Sequence, residues 1–372
     1  MLCPAAVLSL ALCAHAPDGR ALAADAAALG SALNSIQDKD LRQHVNVLAS
    51  DTFEGREAGS RGGRASAAYL AGELKKLQLA PHGVGGTYFQ DFGSGYRNIL
   101  GVLEGSDPKL RSEYILIGAH YDHVGYGTGQ NSFGPLGRIH NGADDNASGI
   151  SALLELIEAC ALLPSRPRRS LLFAFWDAEE MGLLGSKHWV RNPTVPLHSV
   201  QLALNVDMIG RLRNDTLEVY GTRTEVGLRQ LVCQCNQGID LRLDFRWDNT
   251  ADSDHFPFYQ RSIPYLMAHT GKPEDYHRPS DDPDKLNVEG IQSVARLLLQ
   301  LALSAADAPD WSGFREAARG ENDETRKRFE VMCREVFKKF KACINTDGVN
   351  AHRADRDAIN IVYKSLQKDR EQ

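Results

Sequence analysis

The chain has 372 residues, a net charge of -6 and ordinary apolar and charged fractions, so it is long enough for one large α/β domain with additions or for two modest domains. The mildly acidic balance gives no electrostatic basis for nucleic acid as a partner. No apolar run reaches the ~20 residues of a membrane-spanning helix.

The N-terminal segment differs from the rest. Ala5 to Ala14 is short and apolar, and Ala21-Leu22-Ala23 has the small-x-small form of a cleavage site. Residues 1–23 therefore read as a secretory signal, and the mature protein is expected outside the cytoplasm, secreted or periplasmic. No Lys or Arg precedes the apolar stretch, which departs from the usual leader. Cys13 offers a lipid-attachment position, but the bulky Leu12 before it disfavours an anchor.

Ile36 to Leu48 has helical spacing, and Ser50-Asp51-Thr52 breaks it. A loop through Glu54-Gly55-Arg56 and Gly59 to Gly63 leads to an amphipathic helix over Ala65 to Leu77. Asn98 to Leu103 and Tyr114 to Ala119 follow as strands. Ala147 to Leu163 is a largely apolar helix stopped by Pro164. Leu171 to Trp176 is wholly apolar, as expected of a strand buried on both faces. Gly182 to Val190 is helical, Gln201 to Val206 and Leu217 to Tyr220 are strands, and Glu225 to Asn236 is a helix. Ile263 to Met267 is a strand, and Val288 to Leu303 a closing helix. This alternation predicts an α/β fold: a mixed, mostly parallel central sheet with helices on both faces. The segment 309–372 is rich in charge. Phe329, Met332, Cys333, Val336, Phe337 and Phe340 share one helical face there, and Ile359 to Leu366 suggests a second helix, so a helical C-terminal extension is expected. Asn345-Thr346-Asp347-Gly348 has part of a calcium-loop pattern, without its first ligand and closing Glu. Outside the leader five cysteines remain, an odd number with no metal-knuckle spacing.

Chemistry-bearing residues recur at predicted strand ends. His120 and Asp122 follow the strand Tyr114 to Ala119 and face the same way in extended geometry. Asp144 and Asp145 lie in a Gly-rich turn, where adjacent like charges are costly unless a cation is present. Asp177, Glu179 and Glu180 follow Leu171 to Trp176. One of the adjacent glutamates can bind a metal while the other acts as a general base. Asp207 ends another strand, and His277 lies in an acidic loop after Ile263 to Met267. Each is unremarkable alone. Together they form a nitrogen and oxygen donor set suited to zinc, large enough for two ions about 3.5–4 Å apart if one carboxylate bridges.

The blocks Gly118 to His123, Gly142 to Gly149, Asp177 to Gly185, Asn205 to Met208 and Asp275 to Asp282 resemble, in order, the signature segments of the M28 family of zinc peptidases. Leu48 to Asp51, Glu54-Gly55-Arg56 and Gly59-Ser60 are similar to that family's N-terminal region. The resemblance implies a zinc-exopeptidase, phosphorylase/hydrolase-like domain over 30–306 that holds two Zn2+ ions. It places His120 and Asp207 on one ion, Glu180 and His277 on the other, and Asp145 between them. Asp122 would orient His120. Glu179 would take a proton from a metal-bridging water and later deliver one to the leaving amine. The expected substrate is a peptide with a free N-terminus. Ser253-Asp254-His255 and His269-Thr270-Gly271 look like positions near the substrate cleft. Phe92 to Arg97 is too short for the protease-associated insert that many relatives carry, and the charged tail is unlike the family core.

The same family includes one-zinc glutaminyl cyclases and carboxypeptidases. Retention of His120 beside Asp122 argues for two metals. A non-catalytic descendant would usually lack a ligand or the base. The chain has neither a Gly-x-Ser-x-Gly elbow nor a His-Glu-x-x-His motif.

Overall fold

The apolar runs of the middle of the chain assemble into one mixed sheet of nine strands in the order β1-β3-β5-β4-β6-β9-β7-β8, with β2 beside β3. The strands are β1 (Ala80–Pro81), β2 (Phe89–Phe92), β3 (Tyr96–Leu103), β4 (Tyr114–His120), β5 (Ser170–Trp176), β6 (Val200–Val206), β7 (Thr216–Tyr220), β8 (Arg242–Phe245) and β9 (Tyr265–His269). The computed structural model describes residues 19–322 together with 324–329, 331, 332, 334 and 335. Strands β5, β4, β6 and β9 run parallel through the centre, and β7 pairs with β8 in parallel. Antiparallel pairing flanks this centre, with β3 on β5 at one side and β7 on β9 at the other.

Every residue of β5 is buried, because helices cover both sheet faces. Successive side chains point to opposite faces. Leu171, Phe173 and Phe175 therefore join Ile115 and Ile117 of β4 under three helices, α2 (Asp38–Leu48), α4 (Gly149–Ala161) and α8 (Val288–Asp307). Leu172, Ala174 and Trp176 pack on the other face against Trp189 of α5 (Leu184–Arg191) and Phe258 of α7 (His255–Gln260). Helices α1 (Gly19–Ser35), α3 (Arg61–Lys76) and α6 (Leu228–Cys235) also belong to this domain. Ser60 caps α3 by accepting from the Gly63 N–H at 3.0 Å, and Asn287 caps α8 through the Gly290 N–H at 2.9 Å.

The chain adds β5 on one side of β4 and then β6 on the other. Strand β4 is thus a topological switch point, and a crevice opens beyond the carboxyl ends of its neighbours.

The expected alternation of strands and helices is present, with boundaries shifted by a few residues. The strand read over Ile263 to Met267 begins at Tyr265 and runs to His269, and the helix read from Gly182 begins at Leu184. Helices α1 and α7 and the short strands β1, β2 and β8 carried no readable pattern. Helix α7 has six residues and contains Pro257, too few for a periodic signal. Helix α1 is alanine-rich and starts inside the segment read as a leader, of which residues 1–18 lie outside the described ones. Among the described residues, no helix is long and apolar enough to cross a membrane. Cys160, Cys233 and Cys235 form no disulfide among the described residues.

The first part of the charged extension packs on the domain. Ser312 N–H donates to Glu225 at 2.6 Å, Arg315 N–H donates to the Thr224 carbonyl at 2.7 Å, and Phe329 meets Trp247 with ring centres 6.0 Å apart. Residues 324–329 are helical, as the spacing of Phe329 and Met332 suggests. The calcium-loop-like segment and the second expected helix lie outside the described residues.

One buried acid of this core titrates abnormally. Glu155 of α4 is 1% exposed and accepts the Gln37 N–H at 3.2 Å. Burial pushes its carboxyl from an ordinary 4.5 up to about 7. Between these values the folded chain holds a proton that the unfolded chain has released, so stability falls as pH rises through about 7. Glu155→Gln keeps the acceptor and removes the titration. It should be close to wild type at pH 5 and more stable than wild type at pH 8, by on the order of 2 kcal/mol. Urea midpoints at the two pH values measure this, and parallel pH profiles for the two proteins would contradict it.

Candidate metal centre

Each candidate donor is delivered by a strand end. His120 is the last residue of β4, Asp207 follows β6, Glu179 and Glu180 follow β5, and His277 lies in the loop after β9. Asp145 comes from the turn 143–148 that leads from β4 into α4. Because β5, β4, β6 and β9 are parallel neighbours, these termini share one rim.

The geometry is compact. His120 Nε2 lies 3.3 Å from Asp145 Oδ1 and 3.3 Å from Asp207 Oδ1. His277 Nε2 lies 3.3 Å from Asp145 Oδ2 and 3.0 Å from Glu180 Oε2. Two groups result, His120–Asp145–Asp207 and His123–Asp145–Glu180–His277, and Asp145 belongs to both. His123 had no role in the sequence reading, although it directly follows Asp122.

Hydrogen bonding on the far side of the rings states what this cluster needs. His277 Nδ1 lies 2.9 Å from the Asn131 carbonyl and His120 Nδ1 lies 3.2 Å from the Asp122 carbonyl. A carbonyl only accepts, so both Nδ1 atoms carry hydrogen. In the neutral rings, Nε2 then turns a lone pair toward two carboxylates. Such an arrangement is repulsive unless a cation, or a second proton on each ring, lies between them. Burial alone would depress both imidazoles, but the facing carboxylates overcome it, lifting His277 to about 10 and His120 well above its ordinary value. Burial likewise raises Asp145, yet its bonds to His120 and His277 hold it well below the usual carboxylate range. Burial pushes Glu179 well above that range, with the Glu180 charge adding to it against the pull of His120. The donor set of imidazole nitrogens and carboxylate oxygens, without thiolate, fits divalent zinc or a related ion.

A buried support layer fixes these side chains. Asp122 is where the sequence places it, but its carboxylate bonds chiefly to the chain carrying the glutamates. It accepts from Glu179 N at 3.0 Å and Glu180 N at 3.2 Å, while His120 Nδ1 is 3.8 Å from its nearer oxygen. Asp281 accepts from the backbone N–H groups of Asp144 and Asp145 at 3.0–3.1 Å. Ser253 donates to Asp207 Oδ2 at 2.6 Å and accepts from Asn205 at 2.7 Å, a concrete role for one of the residues read as near the cleft. Ala178, Met208 and His277 have φ of 56°, 53° and 52°, conformations that non-glycine residues adopt rarely and that cluster at functional sites.

Arg56 is the least expected member of this layer. It is 1% exposed, and its guanidinium donates to the carbonyls of Leu48, Tyr121, Asn141 and Gly142 at 2.6–2.9 Å. It thereby ties the loop after β4 to the turn bearing Asp145. Burial lowers its pKa to about 10, against the raising effect of Asp145, Asp281, Asp122 and Glu180. No one-dimensional pattern marks this role, because all its acceptors are main-chain atoms.

Beside Glu179 opens a cavity of about 250 Å³. Met208, Met267, Tyr220 and Tyr276 line it, with Glu218 and Asp252 as additional carboxylates and Lys272 as the one lysine. Lys272 Nζ sits 4.4 Å above the Tyr276 ring.

The parallel centre, the switch-point crevice and the shared carboxylate define an α/β protein with a histidine–carboxylate pocket suited to a pair of divalent cations. The sequence profile described as peptidase family M28 matches residues 98–302, and the chain belongs to this family. It is 30% identical over 225 residues to leupeptin-inactivating enzyme 1 of Streptomyces exfoliatus, covering 59% of this chain and 45% of that protein. It is 28% identical over 212 residues to aminopeptidase YwaD of Bacillus subtilis (strain 168), covering 54% and 43%. The chain thus spans about half the length of the curated relatives it matches. The fold is that of BSAP, a zinc aminopeptidase from Bacillus subtilis, with a TM-score of 0.58 at 16% identity over 73% of this chain and 95% of that one.

Replacing Arg56 by Met keeps the bulk and removes every donor, leaving several buried carbonyls unpaired. Arg56→Met should lower the unfolding free energy by on the order of 3 kcal/mol. A denaturation midpoint equal to that of wild type would show that the carbonyls find other donors.

Proposed function

We propose that this chain is a two-zinc aminopeptidase that hydrolyses the amide bond after the N-terminal residue of a peptide. The observation that carries this reading is the split of Asp145: one oxygen faces His120, the other faces His277, each at 3.3 Å. A carboxylate so placed suits a shared ligand between two ions, with His120 and Asp207 on one side and Glu180 and His277 on the other. Family membership and the relative named aminopeptidase YwaD point the same way. Zinc ions bound there would polarise the scissile carbonyl and make the attacking water more acidic.

The chain's own groups supply the rest. Glu179 lines the cavity beside His120, Asp145 and Asp207. Its carboxylate accepts the proton of the attacking water and returns it to the nitrogen of the departing amine. Its place in the cavity lining beside His120, Asp145 and Asp207 suits both halves of that transfer. Asp122 holds the backbone of Glu179 and Glu180, which keeps base and ligand facing different ways. Asp252 and Glu218, the latter paired with Arg246 at 3.3 Å, line the cavity beyond the candidate ligands, and the acidic lining favours a substrate ammonium. A C-terminal carboxylate would call for a cationic clamp, and Lys272 alone, held over Tyr276, is a poor one. This contrast favours cleavage at the free N-terminus over carboxypeptidase action. The presence of His120 and Asp207 as a second group favours hydrolysis over one-zinc cyclisation. Residues 30–306 would form the catalytic unit, 309–372 an appendage, and 1–23 an export leader.

Glu179→Gln should fold and bind zinc as wild type does, while kcat falls about 10³-fold. Activity near wild type in that variant would remove Glu179 from the base role. A panel of aminoacyl and N-blocked chromogenic substrates tests direction. Only the free-amine set should be cleaved, chelation should abolish the activity, and added zinc should restore it. Turnover of the blocked set would refute the aminopeptidase assignment.

A further inference from the structure

We infer that His123 is a positioning residue for the second metal group, holding Glu180 by a hydrogen bond so that only one carboxylate oxygen faces the ion. The inference rests on the two-zinc reading above and adds to it a residue outside the five expected donors.

His123 is 1% exposed and lies against His277, with ring centres 5.5 Å apart and planes at 85°. Its neighbours make room for it. Gly142 has φ of +58°, and a Cβ at that position would stand 2.6 Å from the His123 ring. The decisive detail is which oxygen each imidazole addresses. His277 Nε2 faces Glu180 Oε2 at 3.0 Å, whereas His123 Nδ1 faces Oε1 at 2.8 Å. The two rings therefore divide the carboxylate between them. A ring nitrogen acting as a ligand should converge on the space that His277, Asp145 and Oε2 share. His123 Nδ1 is instead 3.8 Å from Asp145 Oδ2, further than the 3.3 Å that separates His277 Nε2 from the same atom. A length of 2.8 Å is that of a charge-assisted N–H···O bond.

The tautomer agrees. His123 Nε2 is buried and has no hydrogen-bond partner. With the hydrogen on Nδ1, what remains unpaired at Nε2 is a bare lone pair. The other tautomer would bury an unpaired N–H and turn a lone pair against Glu180 Oε1. Ligating carboxylates are themselves commonly held by such outer hydrogen bonds, which set their orientation and the metal affinity. His123 supplies this for Glu180 as Ser253 does for Asp207, so each group has its own donor.

The test compares zinc-loaded wild type, His123→Ala and His123→Asn, with affinities read by competition against a chromophoric chelator. His123→Ala should weaken one of the two zinc ions by about 10–100-fold and leave the other unchanged. His123→Asn places an amide N–H near Nδ1 and should bind both ions within a few-fold of wild type. Unchanged affinity in the Ala variant would overturn the inference. So would an Asn variant as weak as Ala whose zinc X-ray absorption shows one imidazole fewer than wild type, because His123 would then be a ligand. Wild type that takes up fewer than two zinc ions would instead bring down the two-zinc reading itself.

Discussion

Lone pairs of two imidazoles, His120 buried and His277 half-buried, aimed at carboxylates that share one rim are the constraint on which the rest of this structure depends. His120 and His277 are each committed at Nδ1 to a backbone carbonyl, and each turns Nε2 onto Asp145 and one further acid. Without positive charge this arrangement would be strongly disfavoured at such burial. With a divalent cation in each group, the same atoms become good ligands. The pocket therefore calls for positive charge, and its imidazole and carboxylate donors suit zinc or a related divalent ion.

Such a cluster persists only if its surroundings hold it. Arg56 ties two ligand-bearing loops together through their carbonyls, and Asp281 anchors the turn of Asp145 through its N–H groups. Asp122 does the same for the glutamate loop, and Ser253 orients Asp207. Left-handed backbone at Ala178, Met208 and His277 is part of this arrangement. Strain and buried charge of this kind are tolerated where the surrounding packing over-determines them, here by helices on both faces of a sheet whose central strands are buried.

The site also explains why the cavity beside it matters. Under the aminopeptidase proposal, a substrate's ammonium and its scissile carbonyl would have to fit there together. The wall carries carboxylates at Glu218 and Asp252 and methionine and tyrosine surfaces between them. That combination suits an ammonium joined to an apolar or amphipathic side chain. It connects the fold's switch-point crevice with the chemistry proposed for it, through position rather than through any single residue.

Much of this was written in one dimension. Strand and helix alternation follows from apolar periodicity, which survives in any view of the chain. Strand ends and a Gly-rich turn marked out a pool of candidate acids and histidines, but the choice of Asp145 over Asp144 and of Glu180 over Glu179, and the set completed by His120, Asp207 and His277, came from the resemblance to the M28 segments. By itself, the sequence determined the fold class, and its resemblance to the M28 segments proposed the five candidate donors. It could not show Asp122 spending its oxygens on the Glu179 and Glu180 backbone, since that depends on a loop's path and not on residue type. Short elements such as α7 and β8 fell below the length at which periodicity speaks. Arg56 and His123 lay inside family-like segments but carried no role there. Their meaning lies in distances to main-chain carbonyls and to one particular carboxylate oxygen, and distances between remote segments exist only once the chain has folded.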